Sequence, residues 1–222
     1  MVARLAAQHV GPSGHVAALD FNPGMLAVAK ALPAVTGAKI DWLEGSALAL
    51  PFPEAGFDLV LCQLGLQFFP DRPLALQEMH RVLKGGGRVG INVYGPIEHN
   101  PATFALANAL DRHIGQEASL AKRTEHALSD RDELNELVAG AGFHNVAIST
   151  VTKTIHFPSA EEYVRVQLAA TPLATLLSQY DAVNRSRLVD GIIGDVTAAL
   201  APFAEEEGLA YPQEAHTVLA GR

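Results

Sequence analysis

The chain has 222 residues, of which 49% are hydrophobic and 18% are charged, and its formal net charge is −8. This length and composition are typical of one globular α/β domain and exclude a disordered chain. The acidic net charge argues against nucleic-acid binding, which needs clustered Lys and Arg. One cysteine excludes an intrachain disulfide. No apolar run is long enough to span a membrane and the N-terminus lacks a signal-peptide layout, so we expect a cytoplasmic protein.

Short apolar strands alternate with helices over the first 95 residues. The predicted strands cover residues 15–19, 39–43, 57–62 and 88–94. The predicted helices cover residues 2–9, 23–32 and 73–83, the last of them ended by Gly85-Gly86-Gly87. This alternation over short connections predicts a mostly parallel, doubly wound sheet, and strands this apolar are expected to be buried on both faces.

The pattern changes after Tyr94. Helices are predicted over 101–114 and 130–140, one or two strands over 143–157, helical segments over about 159–205, and a last strand over 211–219. The helical segments are too short for a core of their own, so we interpret them as an insertion between the last two strands of a single domain. Breaks at Pro158-Ser159 and Pro172 suggest short helices that move as a lid over a site.

Asp20 is the first residue whose place suggests chemistry, because it ends a predicted strand of a doubly wound sheet. Ligands bind beyond the carboxyl ends of such strands, and an acidic residue there accepts hydrogen bonds from ribose hydroxyls. The glycine-rich turn that accompanies this residue lies about 20 residues upstream, which is before Met1. A simple turn leading into Asn22 and Pro23 is the alternative explanation.

Three stretches carry a specific pattern. They are Glu44-Gly-Ser-Ala-Leu-Ala-Leu-Pro-Phe-Pro-Glu-Ala-Gly-Phe-Asp-Leu-Val60, Gln63-Leu-Gly-Leu-Gln-Phe-Phe-Pro-Asp71 and Glu78-Met-His-Arg-Val-Leu-Lys-Gly-Gly-Gly87. In these stretches the chain resembles class I S-adenosylmethionine-dependent methyltransferases, above all the branch typified by the ubiquinone- and menaquinone-biosynthesis enzymes. The resemblance covers residues 16–93 and is looser after Pro96.

The resemblance implies a Rossmann-like fold whose last strand is antiparallel, with residues 1–95 as the cofactor-binding half and residues 96–222, including the helical cap, as the acceptor side. It also implies that the family's central first strand and its glycine-rich loop are missing from this chain. Gly11-Pro12-Ser13-Gly14 is no substitute, since it follows a helix instead of preceding one. We therefore expect marginal stability and weak or no cofactor binding, both restored by about 40–50 upstream residues containing a strand and a Gly-x-Gly turn.

The resemblance also implies which residues contact S-adenosylmethionine on its adenosine side. Asp20 would hold the ribose hydroxyls, Phe21 and Met25 would pack near the adenosine, and Ser46 and Ala47 would lie at the adenine edge. Ser46 departs from the family, which usually has Asp there, and a serine accepts a hydrogen bond without the charge that strengthens it. The same loop also packs against the sheet.

On the methionine side of the cofactor, the resemblance points to Gln63 and Leu64, just past the strand over 57–62. His99 lies after the strand over 88–94 and is the candidate general base, since the usual pKa of histidine is near neutrality. A loop histidine next to a helix cap at Asn100 is the alternative interpretation. We expect His80 and His216 to be structural and Cys62 to be a core residue, and the histidine spacing predicts no metal site.

The function implied is methyl transfer from S-adenosylmethionine to a small-molecule acceptor, which the sequence does not identify. The cofactor supplies the reactive group in such enzymes, which fits a chain without a triad-like arrangement. A non-catalytic remnant that acts as a binding partner, and a nicotinamide-dependent oxidoreductase, remain open as alternatives. The oligomeric state cannot be predicted from the sequence.

Overall fold

A computed structural model describes residues 1–169 and 173–222, so the break predicted at Pro172 lies outside the described residues. The chain divides into two compact units, each built from separate segments. Unit 1 comprises residues 1–91, 135–147 and 218–222. Unit 2 comprises residues 92–134 and 148–217. The proposed assignment of cofactor and acceptor halves remains a prediction.

In the part of the chain that the structure describes, seven strands form two sheets. They are β1 (His15–Asp20), β2 (Lys39–Glu44), β3 (Phe57–Gln63), β4 (Leu83–Tyr94), β5 (His144–Phe157), β6 (Ala204–Glu205) and β7 (Gly208–Gly221). β1 and β2 pair in parallel, and the second sheet has the order β3-β4-β7-β5, with the short β6 antiparallel to β7. The prediction of a Rossmann-like, mostly parallel α/β fold with an antiparallel last strand is confirmed.

Nine α-helices are present in the described residues. They are α1 (Val2–Val10), α2 (Pro23–Ala31), α3 (Arg72–Val82), α4 (Pro101–His113), α5 (Gln116–Thr124), α6 (Arg131–Gly140), α7 (Ala160–Ala169), α8 (Leu173–Leu177) and α9 (Ala182–Leu200). Short polar side chains start several of them: Asn22, Asp71 and Asp181 each accept hydrogen bonds from the first-turn N–H groups. α5 was not predicted: its N-cap residue is Gly115, which has no capping side chain, and most of its residues are polar.

The glycine run after α3 corrects one predicted boundary. The helix ends at Val82, and β4 begins at once with Leu83 and continues through Gly85-Gly86-Gly87. The prediction that these glycines lie outside the strand is therefore wrong. Strand pairing explains the difference: Gly86 N–H donates to the carbonyl of Arg222, and Arg222 N–H donates to the carbonyl of Gly87, so β7 extends the ladder into the glycines.

The burial of two strands also differs from the prediction. β1 and β3 are not buried on both faces: no residue of either is fully buried, and Leu59 and Leu61 of β3 are 46% and 45% exposed. Each strand lies at the end of its own sheet, because β1 pairs with β2 and β3 pairs with β4. As edge strands, both are less buried than the inner strand β4, in which Val89, Ile91 and Val93 are fully buried.

Each unit has a core of its own. In unit 1 the buried apolar side chains come mainly from α3 and β4, such as Leu76, Val82 and Val89. In unit 2 helices α4, α7, α8 and α9 pack together around Leu106, Val164 and Ile192. None of the helices described is both long and apolar enough to cross a membrane.

A substitution at Gly37 tests how α1 docks on the first sheet. Gly37 has φ +130°, and a Cβ placed there would lie 2.1 Å from the carbonyl oxygen of Ala7, which also accepts a hydrogen bond from Ala38 N–H. Gly37→Ala should lower the free energy of unfolding by about 1–3 kcal/mol, because it combines backbone strain with a clash. Urea unfolding followed by the fluorescence of Trp42, the single tryptophan, measures the change.

Gly140 provides the matched control for this test. It lies at the end of α6 in the same unit, and a Cβ added there meets nothing within 4 Å. Gly140→Ala should leave the stability unchanged or raise it. Equal losses in the two variants would show that the Ala7 contact does not order α1.

Candidate functional site

The parallel pairing of β1 with β2 brings the first candidate residues together. In the register of this pair Asp20 lies opposite Glu44, and Gly45 N–H donates a 3.1 Å hydrogen bond to the carbonyl of Asp20. Both strands therefore end at the same edge. Asp20 and Ser46 leave the sheet side by side, at the carboxyl edge where nucleotide-type ligands bind in doubly wound sheets.

One of the two oxygens of the Asp20 carboxylate has a hydrogen-bond partner. Its Oδ1 accepts a 2.8 Å hydrogen bond from Asn22 N–H, which orients the side chain at the start of α2. Oδ2 has no hydrogen-bond partner among the residues described. The adjoining Asn22 side chain is occupied in capping α2 through Gly24 and Met25 N–H. One carboxylate oxygen thus remains available to hydroxyl donors.

Exposed apolar side chains follow Asp20 along the chain. Phe21 is 79% exposed and Met25 is 58% exposed, although both are large and apolar. The next turn of α2 adds Val28, which is also exposed. Grouped exposed apolar side chains are typical of a surface that binds a ligand or a partner. Phe21 and Met25 therefore remain available for the predicted contact with the adenosine.

Ser46 and Ala47 lie in the loop that follows β2. The Ser46 hydroxyl oxygen accepts a 3.1 Å hydrogen bond from Leu48 N–H, and the Ser46 carbonyl accepts one from Ala49 N–H. The side chain is exposed, and Ala47 is half-buried. Ser46 therefore stabilises the turn with one lone pair and keeps its O–H and second lone pair for other contacts.

A charged pair on α3 holds the rest of this loop. Glu78 Oε2 accepts a 2.7 Å hydrogen bond from Leu50 N–H, and both carboxylate oxygens accept from Arg81 at 2.6 and 2.8 Å. Arg81 in turn donates to the carbonyls of Leu50 and Phe52 at 3.0 and 2.9 Å. Phe52 packs edge to face on Phe57, with ring centroids 5.0 Å apart. The loop carrying Ser46 is thus tied to α3.

Gln63 and Leu64 lie where β3 ends, in the second sheet. Gln63 is the last strand residue and is exposed, while Leu64 adopts a positive φ of 51°, which is uncommon for a residue with a side chain. Cys62 accepts from the N–H groups of Gly65 and Leu66, and burial raises the pKa of its thiol to about 11. The thiol therefore stays protonated, which argues against a nucleophile at this position.

Gln67, in the turn after β3, is a candidate that sequence reasoning missed. It is 2% exposed, and neither its amide nitrogen nor its amide oxygen has a hydrogen-bond partner among the described residues. Only its backbone carbonyl is used, by Arg72 Nη2 at 3.2 Å. A buried amide without partners is costly, and it marks this turn as a place where a ligand or water is expected. No pattern in the sequence signals such burial.

His99 has a partner that the sequence did not reveal. Its Nδ1 lies 3.0 Å from Glu214 Oε1, contributed by β7, which leaves Nε2 pointing away from that bond. The cap interpretation of Asn100 is only half right: Asn100 occupies the N-cap position of α4, but its side chain makes no cap bond. It donates instead to the carbonyl of Pro96 and accepts from Glu214 N–H, so it positions the Glu214 backbone.

The other histidines named in the sequence analysis have structural contacts. His80 packs edge to face on Phe143. The two ring nitrogens of His216 lie 3.1 Å from Thr150 Oγ1 and 3.0 Å from the Ser129 carbonyl. Within residues 1–169 and 173–222 no cluster of three histidine, cysteine or acidic side chains is suited to hold a metal ion.

Comparison with known sequences finds similarity to methyltransferases, most of it in the first part of the chain. Residues 1–91 match the family described as methyltransferase domain. The chain is 48% identical over 83 residues to the demethylmenaquinone methyltransferase of Lactococcus lactis, covering 37% of this chain and 33% of that protein. It is 36% identical over 155 residues to the chloroplastic 2-phytyl-1,4-beta-naphthoquinone methyltransferase of Arabidopsis thaliana, covering 64% and 59%. The chain therefore spans less than two thirds of the length of these relatives.

Comparison with solved structures supports the fold. The YcgJ protein of Bacillus subtilis superposes with a TM-score of 0.55 at 16% identity, covering 94% of this chain and 82% of that one. The Haemonchus contortus phosphoethanolamine N-methyltransferase 2, solved with S-adenosyl-L-methionine, gives a TM-score of 0.52 at 18% identity, covering 96% and 47%. At this level of identity the comparison establishes a shared fold.

Replacing Gln67 tests whether its amide is a cost to the fold. Gln67→Leu should raise the free energy of unfolding by about 1–3 kcal/mol, because it removes two buried polar atoms that have no partner. Asn100 is the contrasting control: it is equally buried, but its amide is fully engaged, so Asn100→Leu should lower stability by a similar amount. Chemical denaturation of both variants and of the parent measures the two changes in the free energy of unfolding. A loss in Gln67→Leu would mean that the amide is satisfied in the free protein.

The Glu78 tether predicts a pH dependence of stability. Hydrogen bonds from Arg81, and to a smaller extent from Leu50 N–H, hold the pKa of Glu78 below its usual value. A carboxylate with a lowered pKa stabilises the fold above its unfolded pKa, and that contribution is lost as the pH falls through the folded pKa. Glu78→Gln should therefore be less stable than the parent at pH 7, with the difference shrinking below about pH 4.5.

The exposed pair of Glu161 with Arg165 on α7 offers the control for this pH series. Glu161→Gln should change stability little, since surface ion pairs contribute about 0–1 kcal/mol. Thermal unfolding of the three proteins between pH 3 and 8 makes the comparison. A pH-independent difference between Glu78→Gln and the parent would contradict the tether.

Proposed function

We infer that this chain is a class I methyltransferase that transfers a methyl group from S-adenosylmethionine to a small molecule. The match of residues 1–91 and the fold support this inference. The observation that carries the proposal is the carboxyl edge of β1 and β2. There the Asp20 carboxylate has one unpaired oxygen, the Ser46 loop leaves the neighbouring strand, and exposed apolar side chains follow Asp20 along the chain.

The residues at this edge fit the adenosine half of the cofactor. Asp20 Oδ2 would accept hydrogen bonds from the ribose hydroxyls, and burial of Phe21 and Met25 against the adenine would remove apolar surface from water. Ser46 would meet the adenine edge. Gln63 and Leu64 are proposed to face the methionine part, and the glycine-rich turn that the resemblance implies is not among residues 1–222. When bound, the cofactor supplies a methyl group on a positively charged sulfur.

For the acceptor we propose a small hydroxylated aromatic molecule of the quinol type. The proposal rests on the relatives, whose names specify demethylmenaquinone and a naphthoquinone as what they methylate. His99 is proposed as the general base, with Nε2 available for the acceptor and Glu214 positioning the ring through Nδ1. A cytoplasmic location is part of the same proposal.

Replacing Asp20 tests the cofactor assignment. Asp20→Ala should weaken binding of S-adenosylhomocysteine about 10- to 100-fold, the effect of losing hydrogen bonds to a charged group. Saturation-transfer difference NMR of the 222-residue chain is suited to weak binding, and it reports which ligand protons are in contact. The ribose and adenine signals should decrease in the variant.

Asp58→Ala is the matched control, because Asp58 is an exposed carboxylate that pairs with Lys84. It lies near the start of β3, away from the carboxyl end where Gln63 lies. It should leave the ligand signals unchanged. NADH is titrated in parallel, since a nicotinamide-dependent oxidoreductase would prefer it. Equal signals for Asp20→Ala and the parent would refute the role of Asp20. Stronger binding of NADH would replace the proposed function by the oxidoreductase. Binding of neither ligand, also by a chain extended upstream with a strand and a Gly-x-Gly turn, would favour a non-catalytic partner.

A further inference from the structure

We propose that unit 2 contains a binding site for the hydroxyl group of an aromatic ligand, in which His126 Nε2 accepts the hydrogen bond. The site is the His126 cluster, defined as Tyr94, Lys122, Glu125 and His126. No part of the sequence analysis pointed to it. Identifying its ligand with the methyl acceptor rests on the proposed function, whereas the existence of the site does not.

The orientation of the His126 ring is set by a backbone carbonyl. Nδ1 lies 2.7 Å from the carbonyl oxygen of Gly95, the residue that follows β4. A carbonyl only accepts, so Nδ1 carries the proton and Nε2 of the neutral ring is an acceptor. His126 is 6% exposed, and Nε2 is buried with no hydrogen-bond partner among the described residues. The ring thus presents one buried acceptor that nothing satisfies.

The surroundings keep His126 neutral. Burial lowers its pKa, which outweighs the opposite effects of the Gly95 carbonyl and of the charges on Glu125 and Glu98, and Lys122 lowers the pKa further. A neutral imidazole with a free Nε2 requires an O–H or N–H donor. Leaving such an acceptor unpaired in the interior is unfavourable, so a donor that reaches it is bound with a gain.

Tyr94 provides the aromatic wall of this site. Its ring stacks on His126, with centroids 5.1 Å apart and an interplanar angle of 28°. Burial, together with the charge of Glu125, raises the pKa of Tyr94, so its hydroxyl stays protonated. An aromatic ligand would pack on this ring, since aromatic pairs stabilise one another in offset or edge-to-face arrangements.

The charges of the cluster favour a neutral ligand. Lys122 is 3% exposed, and its Nζ lies 2.7 Å from Glu125 Oε1 and 2.7 Å from Gln167 Oε1. The buried cation is therefore neutralised by a carboxylate and leaves no net charge to attract an ion. A neutral planar molecule with a hydroxyl group can donate a hydrogen bond to His126 Nε2 and pack on the Tyr94 ring. A charged ligand would lose its hydration here without an opposite charge to compensate.

The test uses 1-naphthol as the probe and 1-methoxynaphthalene, which lacks the O–H donor, as its control. The full 222-residue chain with 15N-labelled histidine is titrated with each, and the Nε2 resonance of His126 is followed by NMR. 1-Naphthol should shift that resonance and bind about tenfold more tightly than the ether, the effect of one hydrogen bond to a buried acceptor.

Two variants separate the hydrogen bond from the packing. In His126→Asn the amide nitrogen takes the place of Nδ1 and keeps the bond to Gly95, but nothing takes the place of Nε2. This variant should fold and lose the tenfold preference for 1-naphthol. In His126→Gln the amide oxygen reaches the position of Nε2, so it should recover part of the preference. His216→Gln, at a histidine with both nitrogens partnered, should change nothing in the preference.

The results test the His126 site independently of the proposed methyl transfer. Equal binding of the two probes, or an unchanged preference in His126→Asn, would mean that Nε2 meets at most a buried water and would overturn the site. S-adenosylhomocysteine is titrated into the same samples. Its binding in the absence of a 1-naphthol effect leaves the proposed function in place. The 1-naphthol effect without cofactor binding, also in a chain extended upstream with a strand and a Gly-x-Gly turn, supports the site and refutes the function.

Discussion

The candidate cofactor site depends on the parallel pairing of β1 with β2. Because parallel strands end at a common edge, the register that sets Asp20 opposite Glu44 also sets the loops that follow them side by side. The hydrogen bond from Gly45 N–H to the Asp20 carbonyl closes this edge. A shift of one residue would turn each side chain of one strand to the other face and would move the carboxylate away from the Ser46 loop.

The pairing alone leaves the loop after β2 free to move, and α3 removes that freedom. Arg81 donates to two loop carbonyls and to Glu78, which itself accepts from a loop N–H, so four polar groups are satisfied at once. Fixing a loop of this length costs conformational entropy, which several charge-assisted hydrogen bonds offset. The Leu-Pro-Phe-Pro stretch is therefore a tether as well as a recognisable pattern, and the order of Ser46 depends on it.

Local signals made much of the fold predictable, and long-range contacts account for most of the rest. Asn22 with Pro23 predicted the start of α2, because capping is decided within four residues. The partner of His99 was not predictable, since Glu214 lies 115 residues away and only the ladder of β7 brings it close. The start of β4 was misplaced for the same reason: glycines suit a helix end locally, and pairing with β7 makes them a strand.

Gln67 and His126 are buried residues whose burial no sequence pattern reveals, and their chemistry differs in an informative way. The amide of Gln67 both donates and accepts, as recognition of a polar group with mixed character requires, and it lies in the turn after β3. The imidazole of His126 only accepts, because Gly95 uses its one proton. An unsatisfied polar atom costs the folded state free energy whether or not a ligand is present. The fold thus carries this cost twice, with a group that both donates and accepts at Gln67 and one that only accepts at His126.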